Sequence, residues 1–142
     1  DPEMSRGLGD VYKRQLLMIA EAENEANNGP TTLAYQCMKE VRERAGLNEL
    51  PDMTQEEFRQ TVKDERAMEL CFEYTRRFDL IRWGDYHKLM QEQVDKAQAD
   101  ESWKFGTNVY TYFNIPKSYN YFPIPANEIG SNGAIKTNNP GW

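Results

Sequence analysis

ERAMELCFEYTRRFDLIRWGD, residues 65–85, sets carboxylates and guanidiniums inside an apolar helical stripe. On an ideal helix, with about 100° between successive residues, Phe58, Val62, Glu65, Glu69 and Phe72 fall within one arc of roughly 80°. Two glutamates therefore point where the hydrophobic residues point. Burying a carboxylate costs several kcal/mol unless a cation and further hydrogen bonds compensate it, so the pattern predicts partners close at hand. Arg66, Arg76, Arg77 and Arg82 lie in or beside the run, and Arg42 and Arg44 precede it. Arginine suits the role because its planar fork bonds a carboxylate at two points and stays charged at any ordinary pH. The expectation is a buried structural ion-pair frame made of Glu65, Arg66, Glu69, Glu73, Arg77, Asp79 and Arg82.

Working outward, Leu16 to Asn27 reads as a first helix, stopped by Asn28-Gly29-Pro30. Thr31 or Thr32 then caps a second helix reaching Ala45, whose Ala34, Cys37, Met38, Val41 and Ala45 span roughly 100° of the wheel. Gly46 is the expected stop. The short connection makes the two helices an antiparallel pair. Thr54-Gln55-Glu56-Glu57 fits the capping box that opens a third helix, expected to reach Tyr74 or Thr75. A fourth is expected from Phe78 to Ala99, with Gly84 weakening it but not ending it. After Asp100 the periodicity dissolves into aromatics, Asn, Ser, Gly and Pro, with a short β-like alternation at Asn108 to Phe113. Loop anchored by Trp103, Phe105, Tyr110, Phe122 and Trp142 is expected there.

Four motifs in this order resemble the SusD/RagB family of bacterial surface nutrient-binding lipoproteins. They are LLMIAEA at residues 16–22, VRERAG at 41–46, the run at 65–85, and YFPIP at 121–125 followed by Glu128-Ile129, Asn132 and Asn139-Pro140-Gly141-Trp142. Trp142 stands where the family usually has Tyr. The resemblance covers residues 16–142 and implies the C-terminal part of such a domain: all-α, tetratricopeptide-like helical hairpins with a long irregular C-terminal segment. It also implies a non-enzymatic binder of glycan or another nutrient at the outer-membrane surface. Its partner would be a SusC-like TonB-dependent transporter, and its membrane attachment a lipid anchor absent from this stretch.

Residues 1–15 are set apart. Asp10-Val11-Tyr12-Lys13-Arg14-Gln15 back-translates to a sequence like the end of a transposon-derived sequencing adapter, so this leader is expected to be non-native. It contains three acids and three bases, so the net charge of −6 is the same without it. That charge argues against a nucleic-acid partner, because phosphate contacts need clustered Lys and Arg. A composition only 39% hydrophobic and 28% charged is polar for an isolated globule, which fits helix faces meant to pack on further sequence.

No catalytic residue, metal site or cofactor is expected. His87 has no second ligand at metal spacing. Carboxylate dyads for glycoside hydrolysis flank an open cleft at about 5–10 Å, whereas Glu65 and Glu69 sit among Phe58, Val62 and Phe72. Two other classes stay open to the residues alone, a helical-hairpin module for protein–protein interaction and a glycoside hydrolase. Cys37 and Cys71 fit buried thiols, with a bridge between them open if their Cα atoms come within about 7 Å. Trp103, Tyr110, Tyr112, Tyr119 and Tyr121 have rings that stack well on sugars, and Trp103 and Tyr110 are taken as carbohydrate-binding candidates on chemistry alone.

Overall fold

The computed structural model describes residues 2–99 and 115–142, with side chains from residue 12 onward. The helices are α1 (Pro2–Ala26), α2 (Thr32–Arg44), α3 (Gln55–Glu69), α4 (Arg76–Trp83), α5 (Tyr86–Ala99) and α6 (Ala126–Ser131), with a 3₁₀ turn at Lys117–Asn120. There is no strand among the described residues, and the all-α class expected from the sequence is the one observed. The alternation at 108–113 lies outside the described residues. The chain divides into two compact units, Asp1–Arg76 and Arg77–Trp142.

In the first unit α1 packs against α2 and α3. Leu16, Leu17 and Ala20 of α1 meet Ala34, Cys37, Met38 and Val41 of α2 and Phe58 and Val62 of α3, with Leu70 closing the cluster. The α2 stripe is the one the helical wheel predicts, except that Ala45 is exposed because the helix ends at Arg44. Asn28, at φ 55°, provides the left-handed turn that stops α1, and the Gly29 amide returns to the Asn24 carbonyl at 3.0 Å. Thr31 then caps α2 by accepting from the Ala34 amide, and its hydroxyl donates to Glu23 at 2.7 Å, which ties the turn to α1. Gly46 ends α2 in the same way, with Leu47 N–H bonded to the Arg42 carbonyl, the 6→1 bond of a Schellman stop.

The capping box is present at α3: Thr54 accepts from the Glu57 amide, and the Glu57 carboxylate accepts from the Thr54 amide at 2.8 Å. Just upstream, Asn24 is fully buried and clasps Gln55 reciprocally, its amide donating to the Gln55 carbonyl at 3.0 Å while the Gln55 amide donates to the Asn24 carbonyl at 3.2 Å.

Two expectations are corrected here. α3 ends at Glu69, five residues before Tyr74, and Phe72 and Tyr74 take left-handed φ of 68° and 59°. Phe72 is 90% exposed, so it leaves the apolar arc that a continuous helix would have given it. Gly84, at φ 78°, does end a helix: Asp85 N–H bonds the Leu80 carbonyl at 2.9 Å, and α5 begins afresh at Tyr86. Substituting a residue that must hold positive φ is strained, and only glycine does so at no cost.

In the second unit α4 buries Asp79 and Leu80, and α5 buries Val94 and Ala97. The chain end folds on itself. Pro140 and Gly141 occupy the centre of a turn closed by Trp142 N–H on the Asn139 carbonyl at 3.0 Å. Gly141 has φ +90°, and a Cβ there would lie 2.1 Å from Ser118 Cβ, so the position excludes every other residue type on two counts.

Candidate functional site

Glu65, Glu69 and Glu73 recur every fourth residue, and each is held by a different cation of the first unit. Glu65, 2% exposed, bonds Arg42 of α2 at 2.8 Å. Glu69 pairs with Arg44, two residues further along at the end of α2. Glu73, beyond the helix end, takes Lys13 at 2.8 Å and Arg14 at 2.6 Å, and Lys13 also donates to the Glu69 carbonyl at 2.8 Å. Glu65 and Glu69, four apart, lie on one face of α3, and Arg42 and Arg44, two apart near the end of α2, reach them from the neighbouring helix. Lys13 lowers the Glu73 carboxyl below its ordinary value through its hydrogen bond, with burial opposing and Arg14 assisting. Arg66 is buried at the same end of α3.

The remaining members of the expected frame belong to the second unit. Arg82 reaches Asp79 at 3.3 Å, one turn away on α4. Arg77 is engaged by rings and a backbone oxygen: its guanidinium stands 4.6 Å from the Phe122 ring centre and 5.6 Å from that of Tyr86, and it donates to the Tyr119 carbonyl at 2.8 Å. Cation–ring contacts of this kind suit Arg, whose flat, weakly hydrated face stacks on aromatics.

Around this Arg the C-terminal motif assembles. The Trp142 indole N–H donates to the Ser118 and Tyr121 carbonyls, each at 3.2 Å, and its ring stacks on Tyr119 at 5.2 Å with the planes 5° apart. Asn138 accepts from the Ile124 amide at 2.7 Å, and Asn139 donates to the Phe122 carbonyl at 2.7 Å. The YFPIP and NPGW segments are therefore two halves of one clasp. Tyr119 and Tyr121, two of the sugar-stacking candidates, face solvent in part, whereas Trp103, Tyr110 and Tyr112 lie outside the described residues.

Sequence reasoning missed several ion-pair partners, among them three cations that tie α1 to the α3 region. Lys13 and Arg14 sit in the leader that it set apart, and α1 runs through that leader without a break from Pro2. The third is Arg59, which bonds Glu25 with two nitrogens at 2.7 and 2.6 Å and holds α3 to the end of α1. The i, i+3 spacing of Glu56 and Arg59 was visible; the partner across helices was not. Cys37 is buried, with its thiol pushed up chiefly by burial, while Cys71 is exposed, contrary to the expectation of two buried thiols; both are free. Between α1 and α2 a cleft of about 510 Å³ is lined by Tyr12, Lys13, Leu16, Glu40, Val41, Glu43 and Arg44. Among the described residues no group of His, Cys, Asp and Glu is placed to hold a metal ion, and His87 lies half-buried on α5.

These features define an all-helical scaffold with ion pairs across its helices and an aromatic clasp at its end. The sequence profile of the SusD family matches residues 9–142, and the chain belongs to that family. It is 38% identical over 132 residues to SusD-like protein P25 of Formosa agariphila, covering 90% of this chain and 22% of that protein. To SusD-like protein P2 of the same organism it is 30% identical, over 92% of this chain and 25% of that one. A crystal structure of a SusD homologue from Bacteroides thetaiotaomicron superposes with a TM-score of 0.79 at 34% identity, over 92% of this chain and 26% of that chain. The chain thus spans about a quarter of the length of these relatives.

Proposed function

We propose that residues 16–142 form the C-terminal part of a non-enzymatic, cell-surface capture protein that binds a glycan or another nutrient and delivers it to a SusC-like TonB-dependent transporter in the outer membrane. Attachment would be through a lipid anchor; no helix among the described residues is long and apolar enough to cross a membrane. The observation that carries the reading is the pairing of Glu65 with Arg42 and of Glu69 with Arg44 between α3 and α2 in a chain of the SusD family. Carboxylates engaged in this way brace helices, and a brace suits a rigid holder whose work is capture and hand-over.

The test is a glycan array with the protein encoded by the complete reading frame, paired with co-purification of a TonB-dependent transporter from outer membranes. Expected are saturable binding to a restricted set of oligosaccharides and a stable complex with one transporter. Turnover of a chromogenic glycoside, lost in Glu65→Gln with folding intact, would replace the capture reading with a hydrolase.

A further inference from the structure

The loop between α2 and α3 is tied back to α2 along its length. Leu47 N–H reaches the Arg42 carbonyl at 2.9 Å, and the Arg42 side chain donates to the Asn48 carbonyl at 2.9 Å. Glu49 pairs with Lys39 at 2.5 Å, and Met53 N–H donates to the Tyr35 hydroxyl at 2.8 Å. Between these last two attachments the loop and α2 enclose a cleft of about 310 Å³. Tyr35 and Leu50 form its apolar wall, and both pack on the first unit's core, Tyr35 standing edge-on to Phe58 at 5.1 Å. The wall is therefore held in place from behind.

The polar lining is of two kinds. Lys39 and Glu49 satisfy one another, and Glu49 raises the Lys39 pKa, so both stay charged. Gln36 and Asp52 differ: among the described residues neither the Gln36 carboxamide nor the Asp52 carboxylate has a hydrogen-bond or ion-pair partner. A carboxamide donates and accepts, and a carboxylate accepts, so the two can meet hydroxyl groups without breaking any bond of the fold. With Lys39 and Glu49 cancelling, Asp52 leaves the lining one charge negative, which turns anionic ligands away.

We propose that this cleft is a subsite for one neutral pyranose unit, which lays its apolar C–H face against Tyr35 and Leu50 and gives its hydroxyls to Gln36 and Asp52. A pyranose has the two chemistries the cleft offers, a face of C–H groups and a rim of hydroxyls. The volume lies at the small end of ligand pockets, about 300–1,000 Å³, which suits a single ring. The proposal rests on the capture reading above and narrows it, naming a place on the chain and a neutral rather than an acidic sugar.

The experiment titrates the isotope-labelled chain with the methyl glycosides of glucose, galactose and mannose, and with methyl glucuronide as the acidic control, following the backbone amides by NMR. Expected are saturable shifts confined to residues 35–39 and 49–53 with at least one neutral glycoside, and none with the glucuronide. The double variant Gln36→Ala, Asp52→Ala should bind about tenfold more weakly. Both positions are exposed, so its unfolding temperature should match the parent's. Silence with all three neutral glycosides, shifts centred elsewhere, or equal binding by the double variant overturns the proposal. Shifts at the same amides with methylamine and with no glycoside overturn it in favour of a cationic ligand drawn by Asp52. The glycan array on the protein from the complete reading frame separates the two readings. Array binding beside a silent titration strikes the subsite and leaves capture standing, whereas a silent array beside cleft-centred shifts strikes oligosaccharide capture and leaves the subsite.

Discussion

The first unit and the end of the second solve one problem with different chemistry. Between α2 and the α3 region, side-chain charges meet across helices: Arg42 with Glu65, Arg44 with Glu69, and, from α1, Lys13 and Arg14 with Glu73. In residues 117–142, neutral side chains meet backbone: Trp142 on two carbonyls, Asn138 on an amide, Asn139 on a carbonyl. Helices have already satisfied their own peptide groups, so what remains to be fixed is their relative position, and charges paired across helices do that. An irregular segment has peptide groups still to satisfy, and indole N–H and carboxamide groups do that.

The largest expected effect tests the charged half. Glu65→Gln leaves Arg42 partly buried without its counter-charge and should cost about 3–5 kcal/mol in urea unfolding. Glu69→Gln should cost about 1 kcal/mol or less, because Arg44 is 56% exposed and can return to water. Equal losses in the two variants would break the idea that depth sets the weight of each rung.

Next comes the neutral half. Gly141→Ala forces a Cβ against Ser118 at positive φ, and strain of this class costs about 1–3 kcal/mol before the clash is counted. Hydrogen exchange should quicken at the Tyr121, Ile124 and Trp142 amides and stay unchanged in α1–α3. A change spread evenly over both units would erase the contrast. Thr54→Ala removes the side-chain cap of α3 and should lower stability by about 1 kcal/mol, read as a shift in the urea midpoint with unchanged slope.

The smallest effect is one of pH. The Glu73 carboxyl is held below its ordinary 4.5, so its contribution is present above that value and fades as the pH falls through the lowered one. The stability gap between the parent and Glu73→Gln should therefore be constant near neutrality and close on acidification below 4.5. A gap that persists unchanged at the acid end would mean that Glu73 acts through something other than its charge.

Much of this was legible in the residues. The α2 stripe, the Thr54 box, the Gly46 stop and the family's four motifs are local patterns, and local patterns survive folding. Glu65 was legible because a carboxylate in phase with Phe58 and Val62 needs a cation, and Arg42 is that cation. The end of α3 was not, because no Gly or Pro marks it: Phe72 stays in phase with the stripe, and the helix stops on aromatic residues in a conformation that sequence propensity ranks last. Gly84 was underweighted since a glycine inside a helical pattern is sometimes tolerated, and the Asp85 to Leu80 bond that makes it a stop is visible only in three dimensions. Trp103 and Tyr110 lie outside the described residues, so the structure leaves the sugar-stacking idea where chemistry put it.

The division at Arg76 has a spectroscopic consequence. All three tryptophans, Trp83, Trp103 and Trp142, belong to the second unit, and none occurs in the first. Indole emission therefore sees one half of the molecule and is blind to the other, while far-ultraviolet dichroism is dominated by the long helices of the first. A single denaturation run followed by both signals would resolve whether the halves melt together or in turn, with no label added and no residue changed.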